Sequence, residues 1–461
     1  MLNTTGIRLF ACAACAGFLL CAADAAHSQD TNYWTLQYGT RGELLGGVVV
    51  GSAVDLSATY YNPGSLALVI DPSTILTATV FGMETIKVSD VDPNAAAVSS
   101  RNVGPEPSLF AGTLPVKWFG GRWAYSFLTR QKMDFRLTER EGAVIALATP
   151  DETPGDSLSI GGEVLFEQYL GEQWGGLTFS RKANDNIGYG MTLYGVYRSQ
   201  RRSTRQTAEA FGAGGYGSSL LDWTDMDYYT FRALAKLGIS AEFGNTTLGF
   251  AFTTRSLPLF GHGTILINRV VVGDTDLDGV DDSRADVAYG KDLDADYRSP
   301  FSFAVGGSHH WTDTSVHFTV EYFTGISPYT VMEVPATSNS PGVTSHYAAF
   351  DHALDNVLNW GVGVEKRFSE KTTAYVSFIT DNSASHPVEP YDISVSTWDI
   401  YHLNGGVAFS LLGTDLTLGG GFAWGKEGLH FDPDSEGILP SAAQPSAVSY
   451  TRLKGILGIS L

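Results

Sequence analysis

Residues 227–243 read DYYTFRALAKLGISAEF, and their alternation decides the fold. Tyr229, Phe231, Ala233, Leu237, Ile239 and Phe243 fall on one side of an extended chain. Tyr228, Thr230, Arg232, Lys236, Ser240 and Glu242 fall on the other. A period of two with one apolar face and one polar face is the mark of a strand between two different solvents. The same pattern recurs at 189–199, where Tyr189, Met191, Leu193 and Tyr197 oppose Thr192, Tyr194, Arg198 and Gln200. It recurs again in SVHFTVEYF, 315–323.

Fourteen such segments are predicted, near 72–88, 108–118, 121–137, 160–180, 186–201, 226–243, 245–255, 298–311, 314–325, 356–368, 371–381, 397–411, 414–425 and 447–461. Every second connection is tight and turn-like, as in FGGR, KANDN, FGNT, WTDT, FSEK and LGTD; the others are long. An even strand count with short turns at one end and long loops at the other describes an antiparallel transmembrane β-barrel. Composition agrees: 52 Gly, 12% aromatic and only 17% charged residues, with no apolar run long enough for a membrane helix. A net charge of −20 excludes nucleic acid as a partner.

Residues 1–28 form a signal peptide. Arg8 precedes the apolar run Leu9–Ala23, and Ala26 and Ser28 supply the small residues of a cleavage site. Cys12, Cys15 and Cys21 all lie in it, so the exported chain has no disulfide, thiolate metal site or Cys nucleophile. The ten His show no metal-ligand spacing and there is no Gly-x-Ser-x-Gly, which leaves an enzyme without a nucleophile motif.

Between the signal peptide and a barrel at 72–461 lie residues 29–71, too long for a linker and too low in charge to stand in water. The segment is predicted to be a plug, or hatch, inside the lumen, for which fourteen strands leave room. It contains DLSATYYNPGSLAL, 55–68, in which Asn62-Pro63-Gly64 reads as a type II turn with Gly64 at the position that favours positive φ.

Leu44–Leu68, LLGGVVVGSAVDLSATYYNPGSLAL, resembles the N-terminal hatch of the FadL-type transporters of long-chain fatty acids and hydrocarbons. Their signature is Asn-Pro-Ala after a Ser-Ala-aromatic run; here Gly64 stands in the Ala position. The order of signal peptide, hatch and fourteen strands matches as well. The resemblance implies a monomeric barrel in the outer membrane of a Gram-negative bacterium, surrounded by its lipid and lipopolysaccharide. It implies passive uptake of hydrophobic small molecules, long-chain fatty acids foremost, with the hatch turn as the gating element. It also implies that cargo leaves sideways through the wall. Physics favours that route independently, because each CH₂ taken out of water gains about 0.8 kcal/mol and release into bilayer keeps that gain. A non-specific porin or an adhesin-like barrel is the alternative.

Three sets of residues are candidates for chemistry. Pro115, placed inside the second strand, removes a ladder donor and so marks an opening between the second and third strands; the alternative is that it ends the second strand near the short turn. Arg130, Lys132, Arg198, Arg232 and Lys236 are assigned to the lumen face, where a ligand carboxylate needs a cationic partner; ion pairing with inward acids such as Asp134, Glu242, Glu321 and Glu365 is the alternative use of the same groups. GDTDLDGVDD, 273–282, spaces Asp274, Asp276, Asp278 and Asp282 as in the first nine positions of a calcium loop, which predicts a structural Ca²⁺ in a long outer loop and no other cofactor.

Overall fold

The computed structural model describes residues 31–52, 55–69, 75–89, 98–116, 118–146, 157–212, 217–273, 281, 283–335, 344–345, 348–388, 392–394, 396–411, 414–428 and 447–460. The wall strands are β1 (Ile75–Ser89), β2 (Val98–Leu114), β3 (Arg122–Ala146), β4 (Ser157–Asn184), β5 (Ile187–Gly212), β6 (Gly217–Phe243) and β7 (Thr246–Thr253). They continue as β8 (Ser302–His310), β9 (Thr314–Phe323), β10 (Val357–Ser369), β11 (Thr372–Asp381), β12 (Ile400–Leu411), β13 (Thr414–Gly428) and β14 (Ala447–Ser460). Each is antiparallel to its neighbour in the chain. β14 pairs back onto β1 from Ile75↔Ser460 to Ser89↔Ala447, so the ring of fourteen returns to its start. All fourteen predicted segments are wall strands.

The alternation read from 227–243 is the wall's cross-section. Along β6, Tyr229, Phe231, Leu237, Ile239 and Phe243 are exposed on the outside, whereas Tyr228, Thr230, Arg232, Lys236 and Ser240 are buried inside. Neighbouring strands continue the outer stripe with Leu193, Phe250, Val305, Phe318, Trp360 and Leu403. An apolar exterior and a polar interior fit a barrel in lipid.

β3 to β6 run 25, 28, 26 and 27 residues. Only about 9–11 residues cross a bilayer, so more than half of each stands beyond it. The outer half of β6 pairs with a further strand, Leu257–Val272, which pairs in turn with Arg284–Asp294. A separate hairpin, Ile326–Val334 against Ala348–Leu354, folds over the long-loop end of the lumen. Its Val331, Met332, Val334 and Phe350 bury against Tyr228, Ile265, Ile267 and Tyr297.

The N-terminal segment fills the ring. It carries two short helices, α1 (Thr40–Leu44) and α2 (Ala58–Tyr61), and almost all of its described residues are buried. Its first part is a strap held by the wall carboxylate of Asp381. The backbone N–H groups of Tyr33 and Trp34 donate to Asp381 Oδ1 at 2.9 and 2.7 Å, and the Thr35 hydroxyl donates to Oδ2 at 2.7 Å. One buried carboxylate thus takes two backbone donors that an irregular segment would otherwise leave unpaired, together with one side-chain hydroxyl.

Candidate functional site

The hatch turn is seated on the wall. Asn62 is fully buried and its side-chain amide donates to Val50 O at 2.8 Å and to Ile239 O of β6 at 3.0 Å. Its Oδ1 accepts the Gly64 N–H at 3.0 Å, and its carbonyl accepts the Ser65 N–H at 3.0 Å. The expected type II turn is not formed. Gly64 has φ −65° and ψ −33° and opens the short helix Ser65–Ala67, so no positive φ is needed. Glycine is required there for another reason. A Cβ at Gly64 would lie 2.7 Å from Gly238 O and 2.8 Å from Ile239 Cα, and a Cβ at Gly238 would lie 2.2 Å from Asn62 Oδ1. Plug and wall meet backbone to backbone.

Above the hatch, toward the long loops, lies a narrow cavity of about 40 Å³ lined by Tyr33, Tyr60, Arg130, Trp174, Lys236, Tyr297 and Glu321, among others. That is the room of one or two waters, so any ligand enters by displacing side chains. The four basic residues around it divide into two kinds. Arg232 Nη2 and Arg198 Nη1 lie 2.6 and 3.3 Å from Glu172 Oε2. The Trp174 indole donates to Glu172 Oε1 at 2.7 Å. Arg198 also donates to Gln131 Oε1 at 2.8 Å and Gln200 Oε1 at 3.0 Å. All three charges are buried, and a buried carboxylate shared by two guanidiniums satisfies them mutually.

Arg130 and Lys236 differ. Neither has a carboxylate within 4 Å among the described residues. Arg130 lies about 6 Å from the ring centres of Tyr33, Tyr60 and Trp174, and Lys236 Nζ lies 4.4 Å from that of Tyr60. Cation–π contact stabilises such charges without supplying an acceptor oxygen. Burial pushes the Tyr60 hydroxyl up to about 12, so the ring between the two cations stays neutral. Glu321, on the same cavity, is already engaged by the Trp34 indole at 2.8 Å and the Ser302 hydroxyl at 2.7 Å.

Lys132 is not in the lumen. The β3–β4 register slips between Thr129 and Gln131, and both Arg130 and Gln131 point inward there. One extra residue in a bulge reverses the parity of everything beyond it. Lys132 and Asp134 therefore face outward, while Met133 and Phe135 are buried. Strict alternation across 130 and 132 could not reveal this.

The bulge borders an interruption in the wall. Among the described residues β2 and β3 pair only from Leu109↔Leu128 to Leu114↔Trp123, although β2 continues to Val98 and β3 to Ala146. The Thr129 carbonyl at the bulge accepts the hydroxyl of the hatch residue Tyr38 at 2.8 Å. Pro115 is not the cause. It follows the last residue of β2, exposed in the turn to β3, where no ladder bond is due. Pro105 and Pro107 do lie within β2, and its register with β1 shifts twice around Ala78 and Thr79.

Below the hatch, near the short turns, a polar chamber of about 540 Å³ is lined by Arg41, Ser52, His317 and Glu365, among others. Arg41 of α1 forms a 2.6 Å ion pair with Glu365 of β10 and donates to Ser52 O at 2.6 Å. Asp274, Asp276, Asp278 and Asp282 lie outside the described residues, as does the signal segment 1–28. Tyr33, Tyr60, Glu172, Trp174 and Tyr297, which complete the upper cavity, were not anticipated. Trp174 and Glu172 could have been found by parity, since both share a face of β4.

No protein-family model matches the chain, and no curated protein sequence does. Solved structures do. A Pseudomonas aeruginosa FadL homologue aligns with a TM-score of 0.57 at 14% identity, over 93% of this chain and 99% of that one. The Pseudomonas putida toluene transporter TodX aligns at 0.52 and 13%, over 93% and 98%. The Ralstonia pickettii toluene transporter TbuX aligns at 0.53 and 11%, over 92% and 97%. The fold is that of the FadL-type channels, a plugged fourteen-strand barrel.

Proposed function

We propose that the protein is a passive, non-enzymatic outer-membrane transporter of hydrophobic molecules, and that its ligand carries an anionic headgroup, a long-chain fatty acid in the first instance. The observation that carries this reading is the pair Arg130 and Lys236, buried on aromatic faces with no carboxylate partner within 4 Å among the described residues. A neutral aromatic such as the toluene of the similar TodX and TbuX offers these cations one more ring face but no acceptor oxygen. A carboxylate would supply the missing acceptor oxygens, while its tail lies along Tyr33, Trp174 and Phe323. The lumen is filled by the buried hatch, which speaks against an open porin.

The β2–β3 interruption is the exit that this reading uses. It stands on the wall beside Arg130 and is bridged to the hatch by Tyr38, so movement of the hatch would free it. A tail leaving there enters lipid without recrossing water.

The test is fatty-acid uptake in a host lacking its own transporter, comparing the protein with an Arg130→Met/Lys236→Met variant at equal outer-membrane levels. Uptake that collapses in the variant while a neutral hydrocarbon still passes supports the assignment. Equal loss of both ligands, or no loss of either, removes the headgroup role.

A further inference from the structure

The wall is interrupted in a second place, on the far side of the same cavity. β7 and β8 pair from Thr246↔His309 up to Thr253↔Ser302, and pairing resumes above at His262↔Asp294 between Leu257–Val272 and Arg284–Asp294. In between, residues 254–261 face 295–301. The one backbone hydrogen bond across that stretch among the described residues is from Ala295 N–H to Gly261 C=O, 3.0 Å.

The segment 295–301 has turned inward. Its donors are taken by other partners: Asp296 N–H by Val331 O of the capping hairpin at 2.9 Å, and Arg298 N–H by the Tyr329 hydroxyl at 2.9 Å. The Ser299 N–H goes to the Ser256 hydroxyl at 2.9 Å. Pro300 has no donor to lose. Tyr297 is carried into the lumen, where its ring lies 3.9 Å from the Arg198 guanidinium and 4.7 Å from that of Arg232. Tyr297, Ser299 and Pro300 thereby form one wall of the upper cavity.

The other lip faces lipid. Leu257, Leu259 and Phe260 are 67, 63 and 54% exposed on the outside. Ala233↔Leu257 and Phe231↔Phe260 put them level with the uppermost apolar residues of β6, just below exposed Asp227, so the interruption lies in the outer half of the apolar belt. The seal between lip and cavity is thin: the Ser256 and Ser299 hydroxyls, both within reach of Arg232 Nη1.

We propose that this interruption is a lipid-side entrance, through which apolar molecules dissolved in the outer part of the membrane reach the cavity between β7 and β8. It rests on the transport reading above and assigns that reading a way in distinct from the β2–β3 way out. Side-chain hydroxyls hold the segment in place of a ladder, so it can swing without unzipping a strand. Arg232 stays anchored on Glu172 when the two serines part.

The exported chain holds no cysteine if cleaved as read, so a single engineered pair is unambiguous. Ser256→Cys/Ser299→Cys places two thiols where both hydroxyls now reach Arg232 Nη1 and where the Ser256 hydroxyl accepts the Ser299 backbone N–H at 2.9 Å, which keeps the two Cα atoms within a disulfide's span. Uptake of a lipid-soluble fatty acid is measured in one preparation before and after reduction. A several-fold gain on reduction is expected; equal rates with the disulfide shown to be formed overturn the entrance. Wild-type protein that takes up nothing would remove the transport reading instead.

A second measurement needs no substitution. Wild-type protein in lipid vesicles containing an alkane that bears a photoreactive diazirine is irradiated and its adducts are mapped. Adducts on 295–301 are expected. Adducts on the outer faces of the strands and beside the β2–β3 interruption, with none on 295–301, overturn the entrance even if the cysteine pair fails to assemble.

Discussion

The two sides of the upper cavity treat positive charge in opposite ways. On the β5–β6 side Arg198 and Arg232 converge on Glu172, and every charge there has a partner. On the side nearest the hatch Arg130 and Lys236 rest against rings. Desolvating a cation is costly in either place; a shared carboxylate offsets it in the first, and only ring faces do so in the second. The lesson is that a basic residue in a barrel lumen is not in itself a ligand site. What decides is whether the protein has already satisfied it.

That contrast can be broken from either side. The largest effect is expected from Glu172→Ala, which strands two buried guanidiniums; loss of one partner from a buried pair costs about 3–5 kcal/mol. The thermal unfolding midpoint of the barrel should fall clearly, and an unchanged midpoint would show that the triad is not structural. Next come Arg130→Met and Lys236→Met. Each should weaken carboxylate binding by about 1.5–3 kcal/mol, the worth of a hydrogen bond to a charged group, with stability unchanged or raised. Isothermal titration with a fatty acid and with its neutral alcohol separates headgroup from tail, and equal losses for both would erase the distinction between the two sides.

Tyr60→Leu keeps apolar bulk but removes the ring beneath both cations, for an expected loss of about 0.5–2 kcal/mol in folding stability. A denaturant midpoint that does not move would mean that the rings do not hold these charges. The smallest effect belongs to Tyr38→Phe. It frees the Thr129 carbonyl at the bulge for about 0.5–1.5 kcal/mol, and should speed amide exchange locally at 129–131 without moving the midpoint much. Protection as in the wild type would separate the hatch from the β2–β3 interruption.

Much of this was legible in the sequence wherever two solvents imposed a period of two. The inward placement of Arg198, Arg232 and Lys236 followed from parity alone. The outer parts of β3, β5 and β6 were missed because no lipid imposes a period of two there; RRSTRQT, 201–207, has no apolar face to betray a strand. Lys132 was misplaced because a bulge is a single inserted residue with no signature of its own. Pro115 drew attention away from Pro105 and Pro107 because strand ends are set by pairing partners, not by local sequence. The reason for Gly64 could not be read at all. It lies on another strand, at Gly238, and only tertiary contact brings the two together.

The place where α1 rests has a consequence for the ring. The helix packs on β12, β13, β14 and β1, across the seam where the last strand meets the first, and Thr40 presses so closely on β14 that a Cβ at Gly458 would lie 2.6 Å from it. The first strand and the last three are thus tied to one another twice, by their own ladders and by a helix laid across them from inside, so the plug is also a clasp on the seam.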